Sequence, residues 1–229
     1  MSGTIVAHGG GGLARSTMRS FTSLCEHGKL VLIPSANSRA ARRRYRKRLA
    51  RAWDRHGYEK VSVLHTDERA DADRDEFVSA LREADCVWLG GGEQSRLVER
   101  YVGTRVEDEL HALLERGGTV GGYSAGTASL TEVMIEGGNP EPIEGSGFGL
   151  LPGAVVDQHF LARDREPRLR AMLERHPTLQ GFGVDEGTAL IVSGDGYRVI
   201  GDSVVRYCTH EGGCHDLAPG DAGPFPLGD

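Results

Sequence analysis

The residues best placed to do chemistry in this chain lie in the run Gly121-Gly122-Tyr123-Ser124-Ala125-Gly126. It has the G-x-S-x-G pattern, set between an apolar stretch at 119–122 and a helical pattern that starts at Ala125. Such a turn is tight and strains the serine backbone outward, so small residues are needed two places to either side. The amide of Ala125, at the start of the following helix, is a natural donor to an oxyanion. A serine hydroxyl is a weak nucleophile and needs a base in hydrogen-bond reach, oriented by a third group. Of nine histidines, His159 is singled out because it follows an expected strand in Val155-Val156-Asp157-Gln158-His159-Phe160. Strand C-termini line one edge of a parallel sheet, so Ser124 and His159 would meet there. The other histidines read as surface or structural. Glu141, Glu144 and Asp157 all lie within sequence reach as the acid, and the residues alone do not choose among them.

Further patterns surround this core. Leu89-Gly90-Gly91-Gly92-Glu93-Gln94 ends the strand before the nucleophile strand. Its glycines let backbone approach a substrate closely, which makes Gly92 a candidate second oxyanion donor. The run His8-Gly9-Gly10-Gly11-Gly12 fits neither G-x-G-x-x-G nor a P-loop, so nucleotide binding is a weak reading. Residues 39–55 hold nine basic side chains on one expected helix, with Tyr45, Leu49, Ala50 and Trp53 at helical spacing. That stretch is a solvated face or a docking surface for an anionic polymer or an acidic patch. Cys208, His210, Cys214 and His215 fit no common zinc spacing and read as incidental, and no metal or cofactor is needed for the chemistry above.

These residues must be positioned by alternating strands and helices. Expected strands fall at 4–7, 29–33, 60–64, 86–89, 119–122, 154–156, 181–184, 189–192 and 197–200. Expected helices fall at 39–56, 74–84, 96–116, 125–134 and 166–176. The alternation predicts an α/β protein, with a mainly parallel sheet flanked by helices and a short antiparallel extension after residue 188. The chain of 229 residues reads as one domain, 1–229. The tail from 211 is a loose end or an edge strand.

A formal charge of −6 argues against broad nucleic-acid affinity. No stretch reaches the apolar length of a membrane span, and no signal peptide is read at the start, so a cytoplasmic protein is expected. Four cysteines in a chain this long do not make a disulfide scaffold, and Cys86 reads as a small buried hydrophobe.

Several blocks together resemble the cyanophycinase-like branch of the S51 serine peptidases, a family that also includes aspartyl dipeptidases. They are Ile33-Pro34-Ser35-Ala36, Gly91 to Gln94, the Ser124-Ala125-Gly126 elbow, and Gly149 to Gly153 continuing through Asp157-Gln158-His159-Phe160-Leu161. Gly183 to Ala189 and Leu217 to Asp221 agree as well. The resemblance covers most of the chain. It implies a fold like the class I glutamine amidotransferases (flavodoxin-like), a Ser-His-acid triad and often a homodimer. Ser124 would be the nucleophile and His159 the base. The acid would fall on the segment after the elbow helix, with Glu141 favoured and Glu144 second. Gln94, Gln158, Arg163, Arg165 and Arg168 match positions of substrate contacts. The implied substrate is cyanophycin, a poly-aspartate backbone with arginine on each side-chain carboxyl, cut to β-Asp-Arg units. An α-aspartyl or isoaspartyl dipeptidase is the alternative, and a catalytically silent binding protein of the same fold is a further one. Asp185 and Glu186 are candidate guanidinium partners or structural carboxylates.

Overall fold

The computed structural model describes residues 2–13, 15–194 and 196–226. Five strands, β1 (Thr4–His8), β2 (Lys29–Ile33), β3 (Lys60–Val63), β4 (Cys86–Leu89) and β5 (Thr119–Tyr123), run parallel in the order β1-β5-β4-β2-β3. Helices α1 (Arg15–Leu24) and α2 (Arg43–Asp54) connect the first of them, followed by α3 (Asp75–Arg82), α4 (Gln94–Tyr101) and α5 (Arg105–Glu115). After β5 come α6 (Ala125–Ala128), the hairpin β6 (Val133–Gly137) and β7 (Ile143–Ser146), then β8 (Ala154–Gln158), α7 (Glu166–Arg175) and β9 (Gln180–Val184). The last strands are β10 (Thr188–Ser193), β11 (Gly196–Gly201), β12 (Val205–Thr209), β13 (Gly213–Leu217) and β14 (Ala222–Pro224). β10 pairs antiparallel with β1 and carries β11 and β14 outward, so the parallel sheet gains the antiparallel extension expected. A second sheet, β13-β12-β9-β8, has β8 and β9 parallel in register Gln158↔Val184.

Alternation along β1 shows why both faces are covered. Ile5 and Ala7 face a core built with Val78, Leu81, Leu97, Val106 and Leu110 of α3 to α5. Val6 faces the opposite core, with Phe21 of α1 and Trp53 of α2. Strands buried on both faces are near-continuously apolar, as Leu-Val-Leu-Ile in β2 illustrates. A third cluster joins α7 to the second sheet through Val155, Phe160, Leu169 and Met172.

Several boundaries differ from expectation. The helix expected at 96–116 breaks in two, because Gly103 takes a left-handed φ of 72° and Thr104 caps α5 by accepting from the Val106 amide at 3.3 Å. The helix expected at 125–134 is the four-residue α6, after which the β-branched run toward Ile135 enters β6. Helix α1 and the hairpin β6–β7 were not expected. The tail takes the edge-strand reading, as β13 and β14. Among the described residues no helix is long and apolar enough to cross a membrane.

The cysteine reading is corrected. Cys25, just after α1, is bonded to Cys86 of β4, and Cys208 is bonded to its cross-strand partner Cys214. Neither pair is visible from spacing, because each is made by tertiary or strand pairing. With both bridges formed, protein purified without reductant should show no alkylatable thiol by mass spectrometry. The chain-entropy model gives about 4 kcal/mol for the bridge of separation 61 and about 2 kcal/mol for that of separation 6. Denaturant midpoints of Cys25→Ala/Cys86→Ala and Cys208→Ala/Cys214→Ala should fall in that order.

Candidate active site

Ser124 follows β5 with φ 53° and ψ −109°, a conformation that a non-glycine residue holds only where its surroundings dictate it. The surroundings are close. A Cβ on Gly122 would lie 2.6 Å from the Gly126 carbonyl carbon, and one on Gly126 would lie 2.2 Å from the Leu89 oxygen. The Ser124 amide donates to the His8 carbonyl at 3.0 Å, and Thr127 Oγ1 donates to the same oxygen at 2.7 Å. The elbow is thus pinned to the end of β1.

His159 follows β8, also at positive φ (50°), and its amide donates to the Gly9 carbonyl at 2.7 Å. Its Nε2 lies 2.8 Å from Ser124 Oγ. Its Nδ1 lies 2.5 Å from Glu186 Oε1, just beyond β9. A carboxylate at Nδ1 assigns the proton to that nitrogen and leaves Nε2 free to accept from the serine. Burial pushes the His159 pKa below the ordinary histidine value, and the Glu186 bond opposes that shift. The ring therefore stays neutral at neutral pH, as a base must.

The acid expected after the elbow helix is corrected. Glu141 is 84% exposed and accepts from Arg175, and Glu144 is 3.0 Å from His176 Nε2. Asp157 is buried, but it is held by Arg168 through both oxygens and lies on the structural side of β8. Glu186 takes the place because β8 and β9 are parallel neighbours, so the residues just past Gln158 and Val184 emerge side by side. The signal available was Asp185-Glu186-Gly187 just past the end of an expected strand, as His159 also lies just past one. Asp185 is not a guanidinium partner here. Its Oδ1 accepts from the Leu161 and Ala162 amides at 3.0 Å each, and its Oδ2 accepts from Ser203.

The glycine run after β1 is the floor beneath this chain. A Cβ on Gly10, at φ 101°, would lie 2.3 Å from the His159 ring. The Gly10 carbonyl accepts from the Gly187 amide, which fixes the Glu186 loop. His8 is fully buried and stacks on Tyr123, with ring centroids 5.3 Å apart. Its Nδ1 accepts from the Gly10 amide. Burial first, and the nearby His159 second, push its pKa down to about 4.

Gly92 and Ala125 carry the expected oxyanion amides, and no hydrogen bond among the described residues uses either one. With α6 only four residues long, the Ala125 amide is placed as a lone donor rather than as the end of a helix dipole. Gly92 and Ser124 share a cavity of about 350 Å³ with Tyr45, Leu49, Trp53 and Trp88. The expected substrate contacts divide. Arg163 is exposed and near enough to His159 to act on its pKa. Arg165 donates to Gln158 Oε1 at 2.8 Å and to its carbonyl, and burial lowers its pKa to about 10. Gln94 Nε2 donates to the Ile135 and Glu136 carbonyls. Arg168 is 3% exposed and spent on Asp157 and the Gly138 carbonyl, so the expectation that it meets substrate is not met. Cys208 and Cys214, being bridged, offer no thiolate to a metal.

Residues 2–200 match the family model described as peptidase family S51. A protein named cyanophycinase from Synechococcus elongatus is 37% identical over 154 residues, which are 63% of this chain and 48% of that one. The match thus spans about half the length of that relative. Cyanophycinase from Nostoc sp. (strain PCC 7120) is 33% identical over 203 residues, 83% of this chain and 67% of that one. A crystal structure of a peptidase from an acI-B1 actinobacterium superposes with a TM-score of 0.80 at 26% identity, covering 98% of both chains.

Two outcomes follow from this geometry. Glu186→Gln should cut kcat roughly 10⁴-fold by favouring the wrong imidazole tautomer, while Glu141→Gln stays within about twofold. Stopped assays on both variants check this. His8, neutral when folded, contributes stability that is whole above pH 6.5 and is lost as pH falls toward its folded pKa of about 4. The loss is about 3 kcal/mol. His8→Asn keeps an acceptor for Gly10 and should remove that part of the acid sensitivity, read as urea midpoints at pH 7 and pH 4.

Proposed function

We propose, from the premise that the chain belongs to peptidase family S51, that it is a serine peptidase that hydrolyses aspartyl peptide bonds. Its substrate is cyanophycin and its products are β-Asp-Arg dipeptides. The observation that carries this reading is the hydrogen-bond chain from Ser124 through His159 to Glu186, assembled from the ends of β5, β8 and β9.

In the proposed cycle His159 Nε2 takes the Ser124 proton as Oγ attacks the scissile carbonyl. Glu186 stabilises the imidazolium that forms and holds its tautomer. The amides of Ala125 and Gly92 receive the oxyanion, each worth about 3 kcal/mol of barrier. His159 then gives the proton to the departing amine, the carbonyl re-forms, and an acyl-enzyme remains on Ser124. Water, deprotonated by His159, repeats the sequence and releases the acid. Arg163, exposed beside His159, has a guanidinium free to pair with a substrate carboxylate, and Arg165 with Gln158 forms a fixed polar patch next to it. A homodimer would cover Ile143 and Leu161, the large apolar side chains exposed among the described residues.

The test is product release from purified cyanophycin and from Asp-X and β-Asp-X dipeptides, with Ser124→Ala as control. Release of β-Asp-Arg from the polymer, reduced at least about 10³-fold in the variant, supports the reading. Turnover of dipeptides alone moves the protein to the dipeptidase alternative, and no serine-dependent turnover leaves a binding protein of this fold. With the His159 pKa lowered, the acid limb of kcat/KM should fall below pH 6.5, since activity is lost only when the free base becomes protonated. A limb above that value would contradict the assignment.

A further inference from the structure

Charge on this molecule is unevenly partnered. Most arginines outside residues 39–55 are engaged: Arg82, Arg96, Arg105, Arg175 and Arg206 each meet a carboxylate within 3.0 Å. The segment 39–55 carries nine arginines and lysines against one acid, Asp54. Among the described residues none of the nine makes an ion pair, and Arg43, Arg44, Lys47, Arg48 and Arg51 are all exposed. Arg43 with Lys47, Arg44 with Arg48, and Lys47 with Arg51 are like charges one turn apart, each mildly destabilising to the helix. Among the described residues no carboxylate lies within ion-pair distance of this ridge.

The opposite face of the same helix explains where the ridge sits. Tyr45, Leu49 and Trp53, spaced four apart on α2, form a wall of the cavity that also contains Ser124 and Gly92. A substrate chain with one carbonyl at Ser124 has α2 at the border of its cleft. The wall itself is apolar and holds no carboxylate, and the cations above it repel guanidinium and attract carboxylate.

We propose that the exposed cations of α2 dock the carboxylates of the polymer repeats that flank the scissile bond, so that α2 selects a polycarboxylate chain over a dipeptide. This rests on the reading of the site as one that acts on cyanophycin, in which arginine joined through its amine leaves a free carboxylate on every repeat. Arg163 and Arg165 serve the repeat being cut, and α2 serves its neighbours. Such exposed pairs are individually weak and screened by salt, so the effect lies in their number and in KM rather than kcat.

The experiment compares wild type with Arg44→Glu/Arg48→Glu and with the milder Arg44→Gln/Arg48→Gln, at positions with no hydrogen bond to lose. KM for cyanophycin at low salt should rise about tenfold in the charge-reversed pair and less in the neutral one. Dipeptide kinetics, where measurable, and kcat should stay within about twofold, and the salt dependence of the polymer KM should flatten. An unchanged polymer KM overturns the proposal. Binding of soluble poly-L-aspartate to the Ser124→Ala protein is measured in parallel by fluorescence anisotropy, so the outcome does not depend on turnover. Polyaspartate bound by wild-type α2 and released by the double variants supports docking even if cyanophycin is not cut, a result that would sink only the substrate reading. No polyaspartate binding, or equal binding of duplex DNA of matched charge, overturns the commitment to a polycarboxylate.

Discussion

The end of β1 holds the site together through its main chain. The His8 carbonyl receives the elbow, the Gly9 carbonyl receives the amide of His159, and the Gly10 carbonyl receives the amide that follows Glu186. Three loops from two sheets are thus indexed to three consecutive oxygens on one rigid strand end. That matters because near-attack geometry tolerates errors well under an ångström before rates collapse. Side-chain bulk is excluded where this seam is tightest, as the His159 ring lies where a Cβ on Gly10 would go. His8 completes the arrangement by staying neutral. A charged imidazole buried beside His159 would depress the base further and would carry its own desolvation cost.

Environment also divides the carboxylates near β8 and β9 between structure and chemistry. Asp157 is enclosed and bidentately bound by Arg168, and Arg168 also ties the carbonyl of Gly138 to this centre. Removing one member of such a buried pair leaves an uncompensated charge, at a cost of about 3–5 kcal/mol. Asp185 holds the turn after His159 by capping two amides. Glu186, partly exposed and next in sequence, has an oxygen left for the imidazole. Two adjacent acids on one loop therefore do different work because one points at backbone and the other at a ring.

Legibility followed the range of the signal. The strand–helix alternation, the elbow and the placing of His159 are local patterns, and each appears where the sequence puts it. Ser124 and His159 end strands of two different sheets, β5 and β8, and they meet because both loops are tied to carbonyls at the end of β1. Glu186 was not reached, since its place depends on β9 lying beside β8, a pairing that no local pattern encodes. Glu141 was favoured for its place after the elbow helix, but that stretch is a hairpin whose acids face solvent and Arg175. The disulfides were missed for the same reason as Glu186: Cys25 and Cys86 are brought together by the packing of α1's end on β4. The break at Gly103-Thr104, by contrast, was written locally as a left-handed residue followed by a cap, and apolar periodicity on both sides masked it.

A net charge of −6 bears on bulk affinity, and it hides how charge is arranged. The carboxylates are distributed among the arginines of α3 to α5, α7 and β12, where they form surface pairs. The cations left over gather on α2, which also walls the cavity, and Arg163 stands beside the base. An acidic protein can therefore present a basic approach to its own cleft, because an ion pair's field cancels within a few ångströms while an unpartnered cluster acts out to a Debye length, about 10 Å at 0.1 M salt. Arg163 also raises the cost of protonating His159. The guanidinium that stands beside the ring thus also helps keep the imidazole neutral, the form that can accept a proton from Ser124 Oγ.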